Sequence, residues 1–171
     1  MLECELKFRF ATFVEAQELI SSRGIALSAP VEEENAVLDS LDGSLSGKRI
    51  LLRIRNAGGV TILTVQPPVE DSRMKIRKEY ETEVCCTPQA LEEMFAALGF
   101  RVVRRYSKTR MTGRCGDATV CLDRLHFGTF IEIEAGSPEA LVEAASLLGL
   151  DPSDGLRENY LELEDMAGGN V

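Results

Sequence analysis

The chain has 171 residues, 44% of them hydrophobic and 27% charged, which suits one domain able to bury roughly 70% of its unfolded surface without metal or disulfide staples. Its 19 basic and 28 acidic residues leave a net charge of −9, which argues against a nucleic acid or an anionic membrane as the main partner. A single histidine, His126, and no tryptophan exclude histidine-rich zinc sites and paired-histidine phosphotransfer.

The opening residues carry Glu3 and Glu5 where a secretory leader has a basic segment, and no run approaches the ~18 apolar residues of a membrane span. The five cysteines, Cys4, Cys85, Cys86, Cys115 and Cys121, form no C-x-x-C pair. A reduced, cytoplasmic protein without a membrane partner is expected, with the cysteines as small core residues.

In chain order, the first element is an alternating strand: Leu2, Cys4, Leu6 and Phe8 on one face, Glu3, Glu5, Lys7 and Arg9 on the other. Thr12 with Glu15 reads as a capping box opening a helix that ends at Gly24. Glu32-Glu33-Glu34 reads as a solvated loop edge before a strand over Ala36–Asp39. Strands follow at Ile50–Arg55 and Thr61–Gln66, joined by a hairpin turn at Asn56-Ala57-Gly58-Gly59, and then at Lys75–Glu83. Thr87-Pro88 starts a second helix that ends at Gly99, with Cys85-Cys86 at the strand-to-helix passage. Alternating runs at Val102–Thr112, Thr119–Asp123 and Phe130–Glu134 come next, then Ser137-Pro138 and a third helix ending at Gly149. A short helix or strand is expected around Arg157–Glu164. One domain over residues 1–166 is expected, with 167–171 a frayed tail.

Any one of these strands alone reads as a half-exposed antiparallel sheet, apolar inward and charged outward. The set suggests more, because acidic strands are interspersed with basic ones: Arg53 and Arg55, Lys108 and Arg110, Glu81 and Glu83, Asp123, Glu132 and Glu134. If the sheet closes with these faces inward, the interior is a polyanion site, with Arg and Lys on phosphate oxygens and carboxylates on a divalent cation. His126 is expected in the turn before Gly128, Arg101, Arg104 and Arg105 on a solvated surface, and Tyr80 and Tyr106 in packing roles.

Four stretches carry a family resemblance: Glu3-Cys4-Glu5-Leu6-Lys7, Leu52-Arg53-Ile54-Arg55, Lys108-Thr109-Arg110, and Leu122-Asp123 through Glu132-Ile133-Glu134. Their order and spacing resemble the CYTH superfamily of triphosphate tunnel metalloenzymes, which includes CyaB-like class IV adenylyl cyclases, thiamine triphosphatases and inorganic triphosphatases. The resemblance implies an α+β fold: a closed eight-stranded antiparallel β-barrel, the triphosphate tunnel, with helices packed outside. It implies Glu3, Glu5, Asp123, Glu132 and Glu134 as ligands of Mg²⁺ or Mn²⁺. Lys7, Arg53, Arg55, Lys108 and Arg110 would bind phosphate, and Glu5, Lys7 and Glu134 would be catalytic. Glu81, Glu83, Gln66 and Tyr160 are further possible site residues. The function implied is metal-dependent hydrolysis of an inorganic, thiamine or nucleoside triphosphate. A class IV adenylyl cyclase, giving cyclic AMP and pyrophosphate, is the alternative, and a non-catalytic polyphosphate- or nucleotide-binding module the third reading. The partner is a triphosphate-bearing small molecule, and the chain a monomer or homodimer. Two departures from the family pattern stand out. Gln66 occupies the place of a lysine, and Val37-Leu38-Asp39-Ser40 replaces an aromatic-rich stretch.

Overall fold

The computed structural model describes residues 2–68 and 75–168. Its chain contacts divide it into two compact units: residues 2–3, 30–68 and 76–109 in the first, residues 4–29, 75 and 110–168 in the second. The strands are β1 (Leu2–Phe10), β2 (Val31–Ser40), β3 (Leu51–Ala57), β4 (Val60–Gln66), β5 (Lys75–Lys78), β6 (Tyr80–Val84), β7 (Phe100–Cys115), β8 (Ala118–Leu125) and β9 (Gly128–Ala135). The helices are α1 (Phe13–Ser22), α2 (Ser44–Gly47), α3 (Pro88–Ala97), α4 (Pro138–Leu148) and α5 (Tyr160–Gly168). The fold is α+β and its described strand pairs are antiparallel.

In the first unit β2, β3, β4 and β6 follow one another across the sheet, with β7 on the other side of β2. The β3–β4 hairpin closes at Gly58-Gly59, both at positive φ (58° and 88°), the two-residue turn whose twist matches the flanking strands. Ala36, Leu38, Leu52 and Ile54 point to one side and bury Leu91 of α3 against the sheet. The Asp39 carboxylate ties β2 to α2: it accepts from the backbone N–H of Ser40 (2.7 Å), Leu45 (2.9 Å) and Ser46 (3.2 Å) and from the Ser46 hydroxyl. These bonds outweigh its burial and lower its pKa to about 2.

In the second unit β9 lies between β1 and β8, and α1 and α4 pack on β8 and β9. Ile20, Leu141, Ala144, Ala145 and Leu148 meet the strand side that carries Leu6, Val120, Leu122, Ile131 and Ile133, all at most 2% exposed. Complete removal of such a side chain from water is worth about 1.5–3 kcal/mol each.

The helix signals behave as expected. The side chains of Thr12, Thr87 and Ser137 accept from the N–H of Glu15, Ala90 and Ala140, each at 3.2 Å. Gly24, Gly99 and Gly149 adopt positive φ at the helix ends.

Three expectations need correction. Lys75–Glu83 is not one strand, because Glu79 interrupts it between β5 and β6, so nine strands are described and not eight. Among the described residues β5 and β6, the first and last strands of the sheet order, show no pairing that would close a barrel. Glu32-Glu33-Glu34 is no loop edge but part of β2, with Glu33 only 5% exposed. The C-terminal element, expected as a short helix or strand, is the helix α5.

Candidate functional site

Burial decides against the half-exposed sheet. Cys4, Leu6 and Phe8 are buried, and so are Glu5 (7% exposed) and Lys7 (3%) on the opposite face of β1. Ions removed from water cost several kcal/mol each unless paired, so their partners determine what these faces can do. Each unit carries one such face.

The first unit's face is set by register. Val37, Arg53, Thr64 and Glu81 stand opposite one another across β2, β3, β4 and β6, and Asn35, Arg55, Ile62 and Glu83 form the next row. Residues directly opposite in an antiparallel pair share a face. Arg55 Nη2 makes a two-pronged contact with Glu81, 3.0 Å to each oxygen, and Arg55 Nη1 lies 3.7 Å from Glu33. Arg53 is held more loosely, 3.4 Å from the Tyr106 hydroxyl and from Thr64 Oγ1, and 3.6 Å from Glu79. Lys108 Nζ lies 3.6 Å from Glu33 Oε2, an ion pair too long for a hydrogen bond. Gln66 Nε2 donates to Glu79 Oε1 at 2.9 Å, so the amide that replaces the family lysine binds a carboxylate without neutralising it. Glu83 is exposed. Several buried polar atoms here lack a hydrogen bond among the described residues: Nε of Arg53 and of Arg55, Glu33 Oε2, and both amide atoms of Asn35.

The second unit's face is dominated by carboxylates. Glu5 stands directly opposite Glu134, and Lys7 opposite Glu132. Lys7 Nζ bridges Glu5 (3.0 Å) and Glu132 (3.1 Å). Burial pushes the Lys7 pKa down, but the two carboxylates outweigh it and hold it above the ordinary lysine value. Arg110 reaches three acids at once: Nε and Nη2 donate to the two oxygens of Asp123 (2.7 and 2.5 Å), Nη2 to Glu132 (2.9 Å) and Nη1 to Glu134 (3.0 Å). Tyr160 of α5 donates its hydroxyl to Asp123 Oδ2 at 2.7 Å, and its ring lies under Lys7 Nζ at 5.1 Å. Burial, then Asp123, raises the Tyr160 pKa well above its ordinary value, so it remains a donor.

The fit to a divalent cation can be judged from these donors. Glu5, Asp123, Glu132 and Glu134 are hard oxygen ligands, and four carboxylates against Lys7 and Arg110 leave negative charge to neutralise. In kind they fit Mg²⁺ or Mn²⁺. In arrangement, no group of three or more metal-binding side chains among the described residues is assembled, since Arg110 lies among the acids. Glu3 is part of β1 and half-buried, and is not in this unit.

Of the remaining candidates, His126 is an exposed residue 3.1 Å from Glu164. Arg105 makes a surface pair with Glu92 (2.6 Å). A cavity of about 390 Å³ in the first unit is lined by Glu34, Asn35, Ala36, Ile54 and Asn56, by Pro88 and Glu92 of α3, and by Arg105, Tyr106 and Ser107. Asn35 and Tyr106 therefore border it, whereas Arg53 and Arg55 do not.

Sequence reading missed Glu33, Asn35, Thr64, Glu79 and Tyr106. Glu33 was hidden inside a run of like residues, where only strand alternation separates the buried middle glutamate from its exposed neighbours. The i, i+2 spacing of Glu33, Asn35 and Val37 was the available signal.

The profile of the CYTH domain matches residues 1–160. Among solved structures, the chain is similar to the PH1012 protein from Pyrococcus horikoshii OT3, with 27% identity, TM-score 0.79, and 94% of this chain and 98% of that one covered. It is also similar in fold to a candidate adenylate cyclase from Vibrio parahaemolyticus (20%, TM-score 0.81, 96% and 98%). A third is HpAC1 from Hippeastrum, a candidate adenylyl cyclase described as having a dominant triphosphatase activity (19%, TM-score 0.68, 99% and 97%). No curated protein matches the chain. No helix among the described residues is long and apolar enough to cross a membrane.

Proposed function

We propose that this chain, which belongs to the CYTH family, is a divalent-metal-dependent hydrolase of a triphosphate. The observation that carries the reading is the burial of both signs of charge on strand faces that an ordinary sheet turns to water. The dominant triphosphatase activity described for the Hippeastrum protein favours hydrolysis over cyclisation.

In this reading the first unit's Arg53, Arg55 and Lys108 bind phosphate oxygens. The unbonded Nε–H of each arginine is a donor ready for them. Charge building on the transferred phosphoryl group is stabilised by donors already in place, which avoids reorganisation at the moment of reaction. In the second unit Glu5, Asp123, Glu132 and Glu134 would hold Mg²⁺ or Mn²⁺, a Lewis acid able to neutralise charge on oxygen. Lys7 stays protonated and keeps Glu5 and Glu132 ionised and in position. Tyr160 orients Asp123. Water attacks the terminal phosphorus, the bond to the bridging oxygen breaks, and orthophosphate and the shortened phosphate chain leave.

The test is product analysis by ion-exchange chromatography after incubation with tripolyphosphate, thiamine triphosphate or ATP, with Mg²⁺ or Mn²⁺. Orthophosphate with a diphosphate or pyrophosphate co-product is expected. Cyclic AMP with stoichiometric pyrophosphate from ATP would make the chain a cyclase, and binding without product a polyphosphate-binding module. Glu5→Gln and Glu134→Gln should each nearly abolish turnover at saturating metal; wild-type rates in both would remove those residues from the site.

A further inference from the structure

We infer that Asn35 is a specificity-determining residue that reads the amino-heterocyclic edge of an organic triphosphate. The inference rests on the triphosphate reading above and names the substrate class of the same face. Asn35 is 3% exposed, and among the described residues neither its amide nitrogen nor its amide oxygen has a hydrogen-bond partner. Its place opposite Arg55 puts it on the face that carries Arg53 and Arg55. A buried amide with both ends unsatisfied costs stability that a leucine of similar size would not, so its presence needs a reason outside the free protein.

The chemistry of that reason follows from hydrogen-bond inventory. Phosphate oxygens paired with arginine and lysine are ionised, and in that state they accept and do not donate. They can satisfy the Nε–H of Arg53 and Arg55 and one end of the Asn35 amide, but not its oxygen. Glu33 Oε2, two residues along on the same face and 3.6 Å from Lys108, is a second acceptor without a hydrogen bond. The ligand must therefore bring N–H or O–H donors as well as phosphates, which inorganic tripolyphosphate does not. A side-chain amide pairs in two-pronged fashion with an edge that sets an amino group beside a ring nitrogen. Adenine and the 4-aminopyrimidine of thiamine both present that edge: the amino group donates to Asn35 Oδ1, and the ring nitrogen accepts from Nδ2. Val37, on the same face and 8% exposed, offers an apolar flank for such a ring.

The experiment compares wild type with Asn35→Leu, and with Asn35→Ala should the leucine variant fail to fold. Steady-state kinetics are measured on ATP, thiamine triphosphate and tripolyphosphate, alongside thermal unfolding of the free proteins. The expected result is a loss of about tenfold or more in kcat/KM, mainly through KM, on whichever of ATP and thiamine triphosphate is the better substrate. Tripolyphosphate turnover should stay within about twofold, and the leucine variant should unfold no lower than wild type. Equal losses on tripolyphosphate, or no loss on either organic substrate, would overturn the inference. If wild type turns over none of the three, the hydrolase reading has failed by itself. Calorimetric affinities for ATP and thiamine triphosphate, each taken relative to tripolyphosphate, then decide the role of Asn35 by the same criterion.

Discussion

The two charged faces solve the cost of buried ions differently. In the second unit nearly every charge meets its opposite at close range: Arg110 is divided among Asp123, Glu132 and Glu134, and Lys7 between Glu5 and Glu132. In the first, Arg55 meets Glu81 at 3.0 Å, but Arg53 lies 3.4 Å from Tyr106 and Thr64 and 3.6 Å from Glu79, Lys108 lies 3.6 Å from Glu33, and among the described residues several donors and acceptors remain unbonded. A closely paired lattice stabilises the free protein and must be rearranged before a cation enters. A loosely paired face leaves stability unrealised and holds its hydrogen bonds for a ligand. Stability and binding should therefore separate between the units.

The largest effect should come from breaking the close lattice. Arg110→Met leaves the buried Asp123 and Glu132 and the half-buried Glu134 without their cation and should cost about 3–5 kcal/mol in chemical denaturation. Saturating Mg²⁺ should restore more stability to this variant than it adds to wild type. Equal responses would mean that these carboxylates do not hold the cation.

Arg53→Met should show the reverse balance. Its long contacts predict a loss of about 1 kcal/mol in stability. The loss of a phosphate donor predicts a fall of about 100-fold in tripolyphosphate turnover. A variant as unstable as Arg110→Met would erase the contrast between the faces.

Tyr160→Phe removes a single hydrogen bond to a buried carboxylate and should cost about 1.5–3 kcal/mol, read by denaturant titration. A change below about 0.5 kcal/mol would show that Asp123 is positioned by Arg110 alone.

The two units should also differ in their response to pH. Asp39, in the first, has a folded pKa lowered to about 2 from 3.8. Its contribution, about 2 kcal/mol, is complete above the unfolded value and fades as the pH falls from about 4 toward 2. Lys7, in the second, has a folded pKa raised above the ordinary lysine value of 10.5. Its contribution is complete below that value and is lost as the pH rises beyond it. Thermal melts of Asp39→Asn and Lys7→Met against pH should converge on wild type at the acid and alkaline ends respectively.

Much of the local architecture was legible without coordinates. The caps Thr12, Thr87 and Ser137, the glycines that end three helices and the Gly58-Gly59 turn act through neighbours a few residues away, so their chemistry is written in adjacent letters. Strand alternation likewise placed Glu5 with Lys7 and Arg53 with Arg55. The interruption at Glu79 was less legible, because an alternating pattern runs through it.

Sequence alone determined which residues form each face, because side chains two apart on a strand point the same way whatever the strand packs against. It also determined the family, through motifs whose order and spacing survive along the chain. Tertiary structure decided whether the charged faces meet water or protein, since burial of Glu5, Lys7 and Glu33 depends on strands distant in sequence. It decided partners too. Arg110, read as a phosphate ligand, lies among Asp123, Glu132 and Glu134, and Asn35, which no motif singled out, stands unbonded opposite Arg55. Pairing across strands is set by register, and register is a property of the folded sheet.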